Sequence, residues 1–349
     1  MNTPIQIYAT TPESVPQQSF EGAVTPSGKD YVRLVQDSAC WAEQYGCAGT
    51  LIYTNNTLVD GWQVARTVLE TTSHLRPLVA VEPTLMSPYA VSKILTTFAH
   101  LFERTVDINL VAGGFNGHLK ARDDNFSHDR RYERVEEYGR FIQLLLSSQR
   151  PASMDGEFYH MKNLKLVPPM TPEFQPLVTL AGSSEAGRQA ARALGATQIH
   201  YPVPIEDFAS IHLSEEGNSG VRIGIITRPT SEEAWAEADR RFPTSKQGHR
   251  MHVMASRTSD ASWHKRLREL ELDAEGERGV YWLKPFKTYK TFCPYYVGSY
   301  EDVAAELAGM IELGVSLFVL DILETEEDYF HTQQVFGLAH PKKMSEAMG

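Results

Sequence analysis

The chain has 349 residues, 42% of them apolar and 22% charged, which is the composition of an ordinary globular protein. Its net charge of −11, with no long lysine or arginine run, argues against nucleic acid as the main partner, because phosphate neutralisation needs a basic face. No apolar run reaches the ~18 residues of a membrane span, and the first residues lack the pattern of an export signal. The three cysteines are not spaced as metal ligands are, so we expect a reduced, cytoplasmic protein without a metal centre.

Short apolar runs alternate with helical patterns along the chain. Strands are predicted, in order, in IQIYA, AGTLIYT, LRPLVAVEP, VDINLVAG, LVTL, TQIHYPVP, VRIGIIT and SLFVLDIL. Helical periodicity follows nearly every one of these runs, and its cleanest case begins at Ser87 as the N-cap, with Pro88 in the first turn.

Eight apolar strands separated by helices predict parallel pairing, since parallel neighbours need a crossover connection. Eight is also the number that closes a (β/α)₈ TIM barrel, so we predict this α/β fold as a single domain over residues 1–349. A doubly wound open sheet is the alternative. Three segments interrupt the alternation, near 11–28, 150–175 and 243–298, and we expect long insertions at the carboxyl-terminal face, the last of them a lid.

One junction between a strand and a helix has the composition of an anion-binding site. In LVTLAGSSEAGRQAARALG the strand ends at Gly182, Ser183 and Ser184, and an alanine-rich helix follows. A helix start carries unpaired amides and partial positive charge, Gly182 permits close approach, and the hydroxyls add donors, so the junction predicts a phosphate site. The alternative is that one of the serines only caps the helix.

A second segment supplies further polar residues at the same face. Asn109 lies near the end of the fourth strand, and His128 and Tyr132 open the next helix, four residues apart and therefore on one helical face. Taken alone, His128 is a surface cap and Tyr132 a packed aromatic. Taken with the Gly-Ser-Ser junction, they are predicted to form neighbouring walls of one phosphate-binding pocket.

Together these stretches resemble the flavin-dependent monooxygenases of the bacterial-luciferase superfamily, and among them the two-component alkanesulfonate monooxygenases. The motifs are NLVAGG…SHDRRYERVEEY, GEFYHMKNLKL…QPLVTLAGSSEAG and RPLVAVEPTLMSPYAVSKIL, and the similarity extends with gaps from Asp30 to Tyr329. The resemblance implies a (β/α)₈ barrel that uses reduced FMN from a separate NAD(P)H-dependent flavin reductase. It also implies O₂ and a small organic molecule as substrates, transfer of one oxygen atom, and a homo-oligomer, either dimer or tetramer.

The resemblance assigns roles to individual residues on the cofactor side. The flavin phosphate would meet Tyr132, Gly182, Ser183 and Ser184, Asn109 would hydrogen-bond the ring system, and His128 would shape the wall. The strand segment 79–82, represented by Val81, would lie beneath the isoalloxazine.

On the substrate side, the resemblance places Trp62 in an apolar pocket and Arg222 where it binds an anion or stabilises a peroxide. Four positions depart from the alkanesulfonate enzymes. Leu58 stands where they have a cysteine and Gly224 where they have a histidine, whereas Ile322 occupies the region of a family tyrosine and Ala112 replaces a small hydroxyl residue. We therefore predict a substrate other than a simple alkanesulfonate. A deazaflavin-dependent oxidoreductase of the same superfamily and a non-catalytic flavin-binding protein are the alternative functions.

The third insertion carries Lys284, Lys287 and Lys290 among aromatic residues. In the family this loop is mobile and bears an arginine that covers the flavin, a role that one of these lysines could fill while the aromatic rings exclude water. The alternative is an aromatic-rich strand or helix docked on the barrel.

Overall fold

The computed structural model describes residues 4–14, 26–114, 116–212, 218–243, 267, 270, 278–287 and 290–340. Its strands in chain order are β1 (Gln6–Thr10), β2 (Gly49–Ile52), β3 (Arg76–Val81), β4 (Asp107–Leu110), β5 (Ala152–Asp155), β6 (His160–Leu164), β7 (Val178–Ala181), β8 (Thr197–His200), β9 (Ser219–Arg228), β10 (Tyr281–Trp282), β11 (Tyr295–Ser299) and β12 (Val315–Leu320).

Eight parallel strands of the described chain close into a barrel, which confirms the predicted (β/α)₈ fold. Their order is β1-β2-β3-β4-β7-β8-β9-β12, and β12 pairs again with β1. The barrel strands are apolar and buried nearly throughout, as expected where helices cover the outer face and side chains fill the interior. Closure brings all eight carboxyl ends to one rim.

The helices that connect these strands are α1 (Gly28–Gln44), α2 (Gly61–Thr71), α3 (Pro88–Phe102), α4 (Asn116–Ala121), α5 (His128–Ser147), α6 (Glu185–Leu194), α7 (Ile205–His212), α8 (Ser231–Arg241), α9 (Lys284–Lys287), α10 (Tyr300–Glu312) and α11 (Glu326–Ala339). The predicted start of α3 is confirmed, because the Ser87 side chain accepts a hydrogen bond from the Ala90 amide. None of the helices in the described ranges is long and apolar enough to cross a bilayer.

The three insertions differ in how much of them the structure describes. Residues 15–25 of the first lie outside the described chain. The second contains an antiparallel hairpin of β5 and β6, which the sequence pattern did not predict. The Glu137 carboxylate on α5 accepts hydrogen bonds from three amides of its turn, residues 157–159, and so holds the hairpin against the barrel.

Of the third insertion, the residues 244–266, 268–269, 271–277 and 288–289, including Tyr289, lie outside the described chain. The described part forms β10, α9 and β11, and β11 pairs in parallel with the outer half of β9. Trp282 is 7% and Phe286 1% exposed. This part is therefore docked on the barrel, and a lid within the insertion stays a prediction.

A buried carboxylate joins three strands at the amino-terminal end of the barrel. Asp107 is fully buried, and it accepts hydrogen bonds from the Tyr8 hydroxyl at 2.7 Å, the Arg76 guanidinium at 2.5 Å and the Leu177 amide at 2.7 Å. A buried carboxylate is tolerated where its oxygens are bonded in this way. Asp107 thus ties β1 and β3 to the start of β7.

We expect Asp107→Ala to lower the free energy of unfolding by about 3 kcal/mol, because it leaves a buried hydroxyl and amide without acceptors and a guanidinium without its counter-charge. Urea unfolding followed by circular dichroism measures the change. Tyr8→Phe is the matched control, since it removes one donor and leaves the other two, and should cost about 1 kcal/mol. Equal stability of Asp107→Ala and the parent would contradict this role.

Candidate active site

A cavity opens at the carboxyl-terminal rim of the barrel, where the active sites of this fold collect. Its floor is aliphatic and is formed by inward-facing residues of four strands, Leu51, Leu78, Ala80, Ile199 and Val319. The cavity volume is about 210 Å³.

One wall of the cavity is a tyrosine packed on a glycine. His128 and Tyr132, in the first turns of α5, have ring centroids 5.1 Å apart, and the Tyr132 hydroxyl donates to the Ala181 carbonyl at 3.2 Å. Gly182 has a φ of 140°, and a Cβ there would overlap the Tyr132 hydroxyl. Glycine is therefore required for both conformation and space. His128, Tyr132 and Gly182 all line the cavity.

The start of α6 lies directly behind this wall. Ser184 is its N-cap and accepts from the Gly187 amide at 3.1 Å, which is the capping role that the sequence left open. The Ser183 carbonyl accepts from Arg188 at 3.0 Å. Hydrogen bonds from Arg188 to the Glu185 carboxylate lower the pKa of Glu185. Ser183 and Ser184 adjoin Gly182 but are not part of the cavity lining.

Asn109 faces the cavity from β4 and is 9% exposed. The Thr179 hydroxyl donates to its Oδ1 at 2.8 Å. This bond orients the amide so that Nδ2 remains available as a donor toward the cavity. Asn109, His128, Tyr132 and Gly182 thus converge on one wall from three separate stretches of the chain, while their role toward a ligand stays a prediction.

The opposite side of the cavity is built around Arg222, which is 4% exposed. Its Nη1 donates to the Thr10 hydroxyl at 2.7 Å and to the Leu320 carbonyl, and its Nη2 donates to the Tyr53 hydroxyl and to Asp321 at 2.7 Å. The guanidinium therefore connects β9 with β12, β1 and the end of β2.

Position 224, where the alkanesulfonate enzymes have a histidine, is a glycine, and an aromatic ring packs against it. A Cβ on Gly224 would overlap the Tyr295 ring, and the Tyr295 hydroxyl donates to Asp321 at 2.9 Å. Thr291 donates to the same carboxylate at 2.5 Å. The tyrosine from β11 thus occupies the space above Gly224 and supports the counter-ion of Arg222.

Burial controls ionisation on this side. It raises the pKa of Tyr53, Tyr201, Cys293 and Tyr295, so all four are neutral at physiological pH. Burial alone would lower the pKa of Arg222, but its neighbours Tyr53 and Asp321 raise it, and the guanidinium stays charged.

A second ion pair in the cavity wall was not found from sequence. Arg122, after α4, donates to Glu82 and to Asn56, the latter at 2.5 Å, and Thr84 donates to Glu82 at 2.6 Å. Glu82 comes directly after β3, as Tyr53 follows β2 and Asp321 follows β12. The position of these three residues at strand ends could have indicated that they face the cavity. No feature of the sequence indicated this for Arg122.

Two predicted site residues lie away from the cavity. Trp62, on α2, packs against Phe98 with ring centroids 6.3 Å apart and does not line the cavity. Val81 is 3% exposed and belongs to the apolar core. Side chains alternate along a strand, so Ala80 and Glu82 face the cavity at this end of β3 and Val81 faces away.

Comparisons with known proteins identify relatives of this chain. The family model of luciferase-like monooxygenases matches residues 14–317. A curated relative, 4-(gamma-L-glutamylamino)butanoyl-[BtrI acyl-carrier protein] monooxygenase BtrO from Niallia circulans, is 31% identical over 321 residues, which cover 90% of this chain and 93% of the relative.

Solved structures of low sequence identity share the fold. EDTA monooxygenase EmoA from Chelativorans sp. BNC1 has a TM-score of 0.72 at 14% identity, covering 96% of this chain and 93% of its own. An F420-dependent secondary alcohol dehydrogenase has a TM-score of 0.63 at 15% identity, covering 97% and 99%. With the family model matched over most of its length, this chain belongs to the luciferase-like monooxygenase family.

Proposed function

We propose that this chain is a two-component monooxygenase that uses reduced FMN, supplied by a separate NAD(P)H-dependent flavin reductase, to insert one atom of O₂ into a small organic substrate. The observation that carries the proposal is the convergence of Asn109, His128, Tyr132 and Gly182 on one wall of a cavity at the barrel rim. A homo-oligomer is part of the same proposal.

The donor set on this wall fits a flavin mononucleotide. The Tyr132 hydroxyl would exchange its 3.2 Å bond to the Ala181 carbonyl for one to the phosphate. His128 and the first amides of α6, beside Ser183 and Ser184, would add donors and positive potential. Asn109 offers its Nδ2 to the polar edge of the ring system, and the aliphatic floor suits the flat rings. Bound reduced flavin supplies the electrons that activate O₂ for oxygen transfer.

The remaining cavity residues would hold the substrate and exclude water. Tyr53, Tyr201 and Phe292 also line the cavity, and Arg222 is the charged group among them. A site that excludes water suppresses side reactions of reactive intermediates. The name of the relative BtrO describes an acyl amide on a carrier protein as its substrate, which supports a substrate other than a sulfonate for this chain.

Anaerobic fluorescence titration measures flavin binding, and product analysis with and without O₂ measures turnover. We expect reduced FMN to bind at least tenfold more tightly than oxidised FMN, and the organic substrate to be consumed only when a flavin reductase, NAD(P)H and O₂ are all present. Reduced F420 belongs in the same experiment because an F420-dependent enzyme shares the fold. Failure to bind reduced FMN, or oxygen-independent turnover with reduced F420, would contradict the proposal.

Tyr132→Phe should weaken the binding of reduced FMN by about tenfold or more, because a hydrogen bond to a charged group contributes about 1.5–3 kcal/mol. The same titration measures this loss. Tyr89→Phe removes a hydroxyl from an exposed tyrosine on α3 and should leave the affinity unchanged. An unchanged affinity in Tyr132→Phe would remove this hydroxyl from the phosphate site.

Gly182→Ala should reduce flavin binding still further, since the new methyl group displaces the Tyr132 ring and the backbone is strained at a φ of 140°. Gly114→Ala is the matched control, because Gly114 lines the same cavity and its added Cβ would meet no atom within 4 Å. Equal flavin affinity in the two variants would show that the tyrosine–glycine contact does not shape the site.

A further inference from the structure

We propose that the side of the cavity lined by Tyr53 and Arg222 binds a neutral hydrogen-bond acceptor, such as the carbonyl oxygen of an amide or ester, and that Tyr53 donates to it. This inference rests on the proposed function only in assigning that acceptor to the substrate. It concerns which class of molecule the site selects, and it excludes recognition of an anionic group by Arg222.

The first argument is the use of the arginine's donors. A guanidinium has five N–H groups, and here the four on Nη1 and Nη2 are directed at Thr10, Leu320, Tyr53 and Asp321. The parallel N–H groups with which an arginine binds an oxyanion therefore already donate to protein atoms. An anionic substrate would have to break these bonds in a buried position, where a lost bond is expensive.

The second argument is the balance of charge. Asp321 lies 2.7 Å from Arg222 and is held there by Thr291 and Tyr295, so the two charges cancel. Glu13 adds a negative charge close enough to Tyr53 to raise its pKa. The neighbouring phenols and the Cys293 thiol are neutral. An anion placed here would lose its hydration without meeting net positive charge.

The third argument is the free proton of Tyr53. Within the described chain its hydroxyl is bonded to Arg222, which only donates, so the phenol oxygen acts as the acceptor of that bond. The phenol proton is left to donate, and the ring forms part of the cavity wall. A hydroxyl that accepts from a cation is polarised and becomes a stronger donor.

The surroundings of this donor select the rest of the ligand. Leu51, Val319 and Phe292 line the same part of the cavity. An uncharged acceptor on an alkyl chain satisfies both the phenol and these apolar side chains, and a small hydrated anion satisfies neither.

Ligand-observed NMR with two probes that share a six-carbon tail tests the inference, with no flavin added. We expect wild-type protein to bind hexanamide at least tenfold more tightly than hexane-1-sulfonate. Tyr53→Phe should weaken hexanamide binding by about fivefold, the loss of one hydrogen bond, and should not weaken sulfonate binding, because it frees one N–H of Arg222. Tyr31→Phe, whose hydroxyl donates to Pro12 outside this cavity, is the matched control and should bind both probes as wild type does.

Asp321→Asn distinguishes an effect of charge on ligand binding from a purely structural effect. Removing the counter-charge leaves Arg222 uncompensated, so hexane-1-sulfonate should bind about tenfold more tightly than it does to wild type, whereas hexanamide should not gain. Equal or tighter binding of the sulfonate by wild type, binding of neither probe, or unaltered hexanamide affinity in Tyr53→Phe would overturn the inference.

The titration with reduced FMN distinguishes this failure from failure of the proposed function. Wild type that binds reduced FMN but prefers the sulfonate retains the function and loses the substrate class. Wild type that prefers hexanamide but does not bind reduced FMN retains the neutral subsite and loses the flavin assignment.

Discussion

The buried ion pair between Arg222 and Asp321 is the interaction on which the carboxyl-terminal rim depends. Removing two charges from water costs several kcal/mol per ion, and their attraction offsets this only where the other polar atoms are bonded. Here Thr10, Tyr53 and a β12 carbonyl accept from the remaining donors of the arginine's Nη atoms, and Thr291 and Tyr295 donate to the carboxylate. Because the partners come from β1, β9, β11 and β12, the pair connects the closed barrel with the sheet extension outside it.

The same pair accounts for a departure from the alkanesulfonate enzymes that the sequence showed without explaining. Gly224 stands where the resemblance places a histidine, and the Tyr295 ring fills the space that a side chain there would need. Tyr295 in turn reaches Asp321, so the absence of a side chain on β9 and the presence of a ring on β11 are one arrangement. A histidine restored at Gly224 alone would collide with that ring.

The fold could be predicted because its signals are local, whereas part of the site could not. The length of each apolar run and the Ser87 cap depend on neighbours in sequence, and they were enough to count eight barrel strands. Asn109 and Tyr132 followed from their positions at strand and helix ends. The outward orientation of Val81 could not be predicted, because a strand that is apolar on both faces does not show which of its residues point inward. A shift of one residue reverses the direction of every side chain. The β5–β6 hairpin and Arg122 are held by contacts with residues distant in sequence, Glu137 and Glu82 among them, which no local pattern encodes.

The two sides of the cavity are supported by different arcs of the barrel. Tyr132 and Gly182 belong to the arc of β4 and β7 with α5 and α6, whereas Tyr53 and Arg222 belong to the arc of β2, β1, β12 and β9. Backbone pairing around the closed sheet positions the strand ends of both arcs. A change such as glycine at position 224 can therefore remodel one arc while the tyrosine–glycine wall of the other keeps its geometry. This separation is a physical reason why one scaffold can retain a cofactor wall while the molecule bound opposite it changes.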